Sequence, residues 1–274
     1  MSLSLTTSLV AFFVGIYGVI STTELLSRKK ILSNAGVLCW DIFSLQFNQL
    51  LNKRVLKIID KVCEYPQILF LLYIRLISCI PLILIIELPG RLLTFSMSIF
   101  SVTNLIISFR NRYGNDGSDQ MALIVSTALA LGLISHNPDC LKYSLYFIAF
   151  QGILAYSTAG LAKLSSKQWR TGLALKYLIG TQTYGHRWLE QKTNTFKHLP
   201  IILSWGVILF LSCFLIFFVI GGQTLLVGLL FGMLFHFGNA IFMRLHTFIW
   251  SFLATYPAII FIRSDIHNIL LINH

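Results

Sequence analysis

The sequence predicts an all-α, polytopic membrane bundle of about eight transmembrane helices, and two observations carry that expectation. Apolar residues fill 56% of the 274 positions and charged residues only 11%, against roughly 25% charged in soluble domains. Mean hydropathy is +0.76. The apolar residues also gather in runs near the roughly 20 residues that a helix needs to cross a hydrocarbon core about 30 Å thick. Such a chain leaves little sequence for a soluble domain, and residues 1–274 read as a single transmembrane domain. The net charge of +11 is spread over loops rather than gathered on one soluble face, so the expected partner is the lipid bilayer and no nucleic acid.

The runs place spans near 6–26, 67–87, 92–109, 121–135, 141–162, 201–220, 224–243 and 247–263, the fourth being short. Residues 1–26 lack the basic flank and small-residue cleavage site of a signal peptide and read as a retained span. Lys and Arg concentrate in every second loop. Arg28, Lys29, Lys30, Lys53, Arg54, Lys57 and Lys61 follow the first span, and Arg110 and Arg112 the third. Lys163, Lys167, Arg170, Lys176, Arg187, Lys192 and Lys197 follow the fifth, and Arg244 the seventh. The other side has Arg91, Lys142 and Arg263, so the basic loops are expected in the cytoplasm and both termini outside it. Within 48–65, Leu51, Val55, Ile58, Ile59 and Val62 share one helical face, and Lys53, Arg54, Lys57, Asp60 and Lys61 the other. That pattern predicts an amphipathic helix on the inner membrane surface, drawn to anionic lipid.

Cys39, Cys63, Cys79, Cys140 and Cys213 form no CxxC pair and no zinc spacing, so neither a metal site nor a disulfide framework is expected. No Walker loop, dinucleotide fingerprint, nucleophile elbow or internal repeat is present. Chemistry is therefore sought among polar residues at membrane depth, where an Arg, Lys or Asp costs roughly 2.5–3.5 kcal/mol at a helix centre.

Four places qualify. Lys163 ends the fifth apolar run after Tyr156, Ala159 and Gly160 at helical spacing, with small residues leaving room beside its stem. It reads either as a snorkelling lysine or as a desolvated amine able to act as base or nucleophile. Asp116 and Asp119, in the polar turn RNRYGNDGSDQMAL (110–123), read as helix caps or as a carboxylate pair at a cavity mouth. Gly228, Gly232, His236 and Asn239 follow one face of the seventh span. The two glycines form a small-xxx-small pair that admits a neighbouring helix, and His236 reads as a proton-exchanging cavity group or as an interhelical hydrogen bond. Arg75, inside the second span, needs a water-filled pocket or an anionic partner, for which Glu24 is a candidate.

Three blocks add a family resemblance: NDGSDQM (115–121), YSTAGLAKLSSKQWRTGLAL (156–175) and FHFGNAIFMRLHTFIWSFLA (235–254). On these the chain resembles the HTTM family, the horizontally transferred transmembrane domain shared with the vitamin K-dependent gamma-carboxylases. In the carboxylases an AGxxKL segment followed by Trp and Gly contains the lysine that deprotonates reduced vitamin K. Here the pattern is Ala159, Gly160, Lys163, Leu164, Trp169 and Gly172. The resemblance thus implies Lys163 as the general base of a carboxylase-like lyase that uses reduced vitamin K or another quinone. It places His236 and His246 at polar positions of the family's FH and LHTF segments and Trp169 in the lysine's pattern; Asn239, Arg75, Asp116 and Asp119 are further cavity candidates from their polarity at membrane depth.

Ala162 stands where the carboxylases carry a second lysine, and NDGSDQM replaces their histidine-containing segment. The chain ends at His274, soon after the last span, so the expected substrate is small or a peptide presented by a partner. A second branch of the same resemblance, proteins that mature sporulation-delay peptide toxins, implies instead a maturation factor for a secreted peptide without carboxylase activity.

Overall fold

The computed structural model describes residues 1–47, 52–84, 90–111 and 114–272 and is all-helical among them. Residues 48–51 of the expected surface helix, 85–87 of the expected second span, and Arg112 lie outside the described residues. Among the described residues seven helices are long and apolar enough to cross a membrane, or eight if one bent pair counts as a span. The chain divides into two compact units, Ser2–Leu145 and Tyr146–His274.

The N-terminal unit contains α1 (Leu3–Ser27), α2 (Trp40–Ser44), α3 (Lys53–Cys63), α4 (Gln67–Leu84), α5 (Gly90–Arg110) and α6 (Gly117–Ile134). Helix α1 packs on α4, α4 on α5, and α5 on α6. The short fourth span gains its length at the start. Asp116 caps α6 by accepting from the Ser118 and Asp119 amides at 2.8 and 3.1 Å, while Asp119 accepts from the Asp116 amide at 3.1 Å. This reciprocal box satisfies N–H groups that hydropathy alone does not register. Asp116→Ala should lower the unit's stability by about 1 kcal/mol, read as a fall in thermal midpoint in detergent; an unchanged midpoint would deny the cap any energetic weight.

Arg75 is 1% exposed, and its partners are neutral. Its guanidinium donates to Thr22 Oγ1 (2.9 Å), Ser21 Oγ (2.9 Å) and Asn104 Oδ1 (3.0 Å), and it lies over the Phe100 and Tyr17 rings. Glu24 pairs with Arg28 at the exposed end of α1 instead. Helices α1 and α5 thus supply dipoles and ring faces to the guanidinium carried by α4, which removes the cation from hydrocarbon.

A second buried arginine serves the loops. Arg110 donates from Nε to Cys63 O (2.8 Å) and from Nη2 to Leu32 O (3.0 Å), tying the end of α3 and the segment after α1 to α5. Counted by sequence as a cytoplasmic loop charge, it is a staple inside the protein. Helix α3 turns Leu56, Ile59 and Cys63 toward Trp40, Phe47 and Phe109, with Trp40 Nε1 donating to Asp60 at 2.8 Å. Ile58, expected on the same apolar face as Ile59, is 67% exposed, so the helix has one stripe for the protein and another free of it. Burial, opposed by Arg110, pushes the Cys63 thiol up to about 11.

Helix α7 (Pro138–Ser165) leads into the C-terminal unit, which continues with α8 (Lys167–Arg170), α9 (Leu173–Ile179), α10 (Arg187–Thr195) and α11 (Leu199–Ser212). It ends with α12 (Phe214–Ile220), α13 (Gly222–Met243), α14 (His246–Leu253) and α15 (Tyr256–Ile272). The expected sixth span, 201–220, is not one rod. It divides at Cys213 into α11 and α12, while α10 and α11 meet at a bend of 113°. At the start of the unit the Tyr146 hydroxyl donates to Asp265 of α15.

Candidate functional site

Lys163 occupies the last turn of α7 in the C-terminal unit. Gly160, one turn earlier, lies against α11: a Cβ there would stand 2.6 Å from Leu211 C and 2.7 Å from Ser212 Cα. Only a residue without a side chain lets the two backbones approach so closely. Past Lys163 the chain turns through Gly172 at φ 74°, in the left-handed region, where a Cβ would also meet the Ile201 amide at 2.7 Å. Ser204 of α11 donates to Trp169 O at 2.5 Å, and Trp205 Nε1 to Arg170 O at 3.1 Å. These contacts bind the α8 turn to α11 and set the Trp169 ring 5.0 Å from Lys163 Nζ. The spacing of the AGxxKL, Trp and Gly pattern is therefore a packing requirement as well as a signature.

Lys163 and Trp169 line a cavity of about 280 Å³ whose other polar contributors are Tyr156 and Asn239, and whose remaining walls are apolar side chains of α7, α9, α11, α13 and α14 and Leu245. No carboxylate is among the described lining residues. Beyond the Trp169 face, the ammonium position has a long contact to Ala159 O at 3.5 Å. The half-buried lysine thus faces a partly open, mostly apolar space, an arrangement that snorkelling toward headgroups does not require.

His236 stands behind this wall. It is 3% exposed, and its Nε2 lies 2.8 Å from the Tyr156 hydroxyl, which lies 2.9 Å from the Tyr256 hydroxyl. Tyr156 reaches the cavity; His236 and Tyr256 hold it. His236 Nδ1 has no hydrogen-bond partner among the described residues, and Phe252 covers the ring at 4.4 Å. The small-xxx-small pair does not receive a helix backbone. Gly228 makes room for the Phe217 ring, and Gly232 for the hydroxyls of Tyr256 and Tyr156.

Of the residues singled out by sequence, the structure brings Lys163, Trp169 and Asn239 to one cavity, with His236 one hydrogen bond away. His246 is exposed at the start of α14 and is not in the lining. Arg75, Asp116 and Asp119 belong to the N-terminal unit, where Asp119 accepts from the Tyr17 hydroxyl at 2.5 Å as well as capping α6. Tyr156 and Tyr256 were given no role from sequence, although Tyr156 lies two turns before Lys163 on the same face of α7 and was legible as such. Among the described residues no group of His, Cys, Asp and Glu is arranged to hold a metal ion.

A polytopic bundle of long apolar helices defines an integral membrane protein, and this one carries an apolar cavity with an amine in its wall. The chain belongs to the HTTM domain family, whose model matches residues 128–265, half of the chain and all of the cavity-lining residues. No curated protein matches it, and no solved structure does.

Proposed function

We propose that this protein is a membrane-embedded enzyme that uses a reduced quinone, of the vitamin K type or another, in a carboxylase-like modification of a small or peptide substrate. The observation that supports it is the Lys163 side chain in the wall of a partly open, mostly apolar cavity with no acid among its described lining residues. A cavity of this kind, mostly apolar with a few convergent polar groups, suits a flat ring bearing oxygen atoms. A bound reduced quinone supplies an acidic hydroxyl and the reducing equivalents for activating oxygen. Lys163, as a neutral amine, takes a proton at Nζ; Trp169 stacks over that amine and steadies the conjugate ammonium by its ring face. Tyr156 and Asn239 supply hydrogen bonds that orient oxygen atoms, and the apolar walls lower the polarity around them.

The test is incorporation of labelled bicarbonate into glutamate-containing peptides by purified, reconstituted protein, with and without reduced quinones. Quinone-dependent uptake is the expected result. No uptake by folded protein across several quinones would remove carboxylation and favour maturation of a secreted peptide.

The same reading puts the basic loops in the cytoplasm, and with them the α7 end that carries Lys163. Cys140, exposed at the other end of α7, should then react with a membrane-impermeant maleimide in intact cells. Cys63 should stay unlabelled even after permeabilisation, because its raised pKa leaves little thiolate at neutral pH and the side chain is buried. Labelling of Cys140 only after permeabilisation would invert the topology.

A further inference from the structure

A second cavity, of about 620 Å³, lies where helices of the N-terminal unit begin and end, and every described residue that lines it belongs to that unit. Leu3, Gly90 and Pro138 in its lining are the first residues of α1, α5 and α7, and Leu133 is in the last turn of α6. Its polar side chains are donors. Arg91 is exposed and has no carboxylate partner among the described residues, where the ion pair found joins Arg28 to Glu24. His136, also exposed, stands at φ 51° in the turn between α6 and α7 and has a ring N–H to donate in either protonation state. Asn137 accepts from the Asp139 amide at 2.8 Å with its side-chain oxygen, which leaves its NH₂ group to donate. Asp139 is not in the lining, and no acid is among the described lining residues.

We propose that this cavity binds the phosphate group of an anionic phospholipid, with Arg91 as the main contact and His136 and Asn137 as further donors; the inference is independent of the quinone reading. Charge argues for the phosphate. A guanidinium matches phosphate oxygens with two parallel N–H groups, and the starts of three long helices add partial positive charge on the same side. Position argues for a lipid as its carrier. Helices α1, α5, α6 and α7 are all long and apolar enough to span a membrane, so their ends fall at the depth of the headgroups, where basic pockets between helices take anionic lipids. Leu92 and Phe95 of α5 and Leu131 and Ile134 of α6, next in the chain to lining residues, are exposed apolar side chains against which acyl chains can lie. The volume is within the roughly 300–1,000 Å³ of small-molecule sites and suits a headgroup. The alternation of basic loops also leaves Arg91 with just Lys142 and Arg263 as basic residues on its side, where loop charge does not serve orientation.

Gly90 allows the cavity to be tested apart from its charge. A Cβ built on it meets nothing within 4 Å, so Gly90→Leu adds bulk to the cavity and keeps every ionisable group. Lys57→Gln with Lys61→Gln, on the exposed basic face of α3 and outside the lining, is the control for general attraction to anionic lipid.

The measurement is titration of purified full-length protein in detergent with dioleoylphosphatidylglycerol or dioleoylphosphatidylcholine, the bound lipid being counted by native mass spectrometry. Wild type and the α3 variant should bind their first phosphatidylglycerol at least about tenfold more tightly than phosphatidylcholine. Arg91→Gln and Gly90→Leu should each erase that preference and leave the thermal midpoint unchanged. Millimolar inorganic phosphate should not displace the lipid; displacement would make the free ion the ligand and overturn the headgroup assignment. Loss of the preference in the α3 variant, with Arg91→Gln binding as wild type, would move the lipid to the surface helix. A normal preference in Gly90→Leu would mean that Arg91 attracts lipid without the cavity holding it, and either result would overturn the proposal.

Discussion

Lys163→Ala is expected to reduce quinone-dependent fixation of labelled carbon dioxide by about 10²–10⁴-fold, the usual contribution of a positioned acid–base group. The side chain contributes little to folding, since it is half-buried and bonded only at 3.5 Å to Ala159 O, so the variant's thermal midpoint should stay close to wild type. Two companions separate base from charge. Lys163→Arg keeps a cation that can stack on Trp169, but a guanidinium does not become neutral in proteins and should be as inactive as alanine. A small primary amine added to Lys163→Ala has room in the vacated part of the cavity and should restore part of the rate. If arginine worked as well as lysine, the cavity would need positive charge and not a base. If alanine retained full rate, Lys163 would be an anchor and the snorkelling reading would return.

Gly160→Val should destabilise the C-terminal unit by about 3 kcal/mol or more, at or beyond the upper end of the overpacking range. The obstacle is backbone. A Cβ at 160 falls 2.6 Å from Leu211 C and 2.7 Å from Ser212 Cα, and no rotamer change in α11 relieves it. Helices α7 and α11 must separate, and Lys163, on the next turn, leaves its place beside Trp169. A thermal melt in detergent should show a lower midpoint, accompanied by loss of quinone binding. Gly206→Leu, on the open face of α11, should match wild type in both measurements. A normal melt for Gly160→Val would mean that the two helices do not pack as described.

The helices were legible in the sequence because hydropathy is a property of neighbours along the chain. Most predicted boundaries fall within a few residues of the observed helices, and the exceptions have local causes. Helix α6 starts earlier because Asp116 and Asp119 cap it, and the sixth span divides because the chain breaks at Cys213 and turns between α10 and α11. Capping and bends depend on a few hydrogen bonds that an average over an apolar window does not weigh.

The candidate site was legible only in part. The pattern around Lys163 marked a segment whose parts the structure brings together, since Gly160, Trp169 and Gly172 all serve to place that lysine. His236 was picked out as polar at depth, yet whether it met the cavity or another side chain depended on Tyr156, 80 positions away, and on Tyr256, 100 positions from Tyr156. Arg75 raised the same difficulty: sequence demanded a partner, and Glu24 offered a charge, whereas Ser21, Thr22 and Asn104 converge on the guanidinium from 54, 53 and 29 positions away.

What the sequence by itself determined was the membrane class, most of the span positions, the HTTM membership and the helix that carries the amine. All of these follow from local composition and short motifs, because a bilayer selects helices by their own apolar length and requires each to satisfy its backbone internally. Only the tertiary structure decided that Lys163 faces a cavity, that Tyr156 and not His236 reaches it, and that Arg110 is a staple rather than a surface charge. Those outcomes depend on which helix faces meet. Between helices in lipid, that choice rests on close packing and side-chain hydrogen bonds, whose partners lie far apart in the chain.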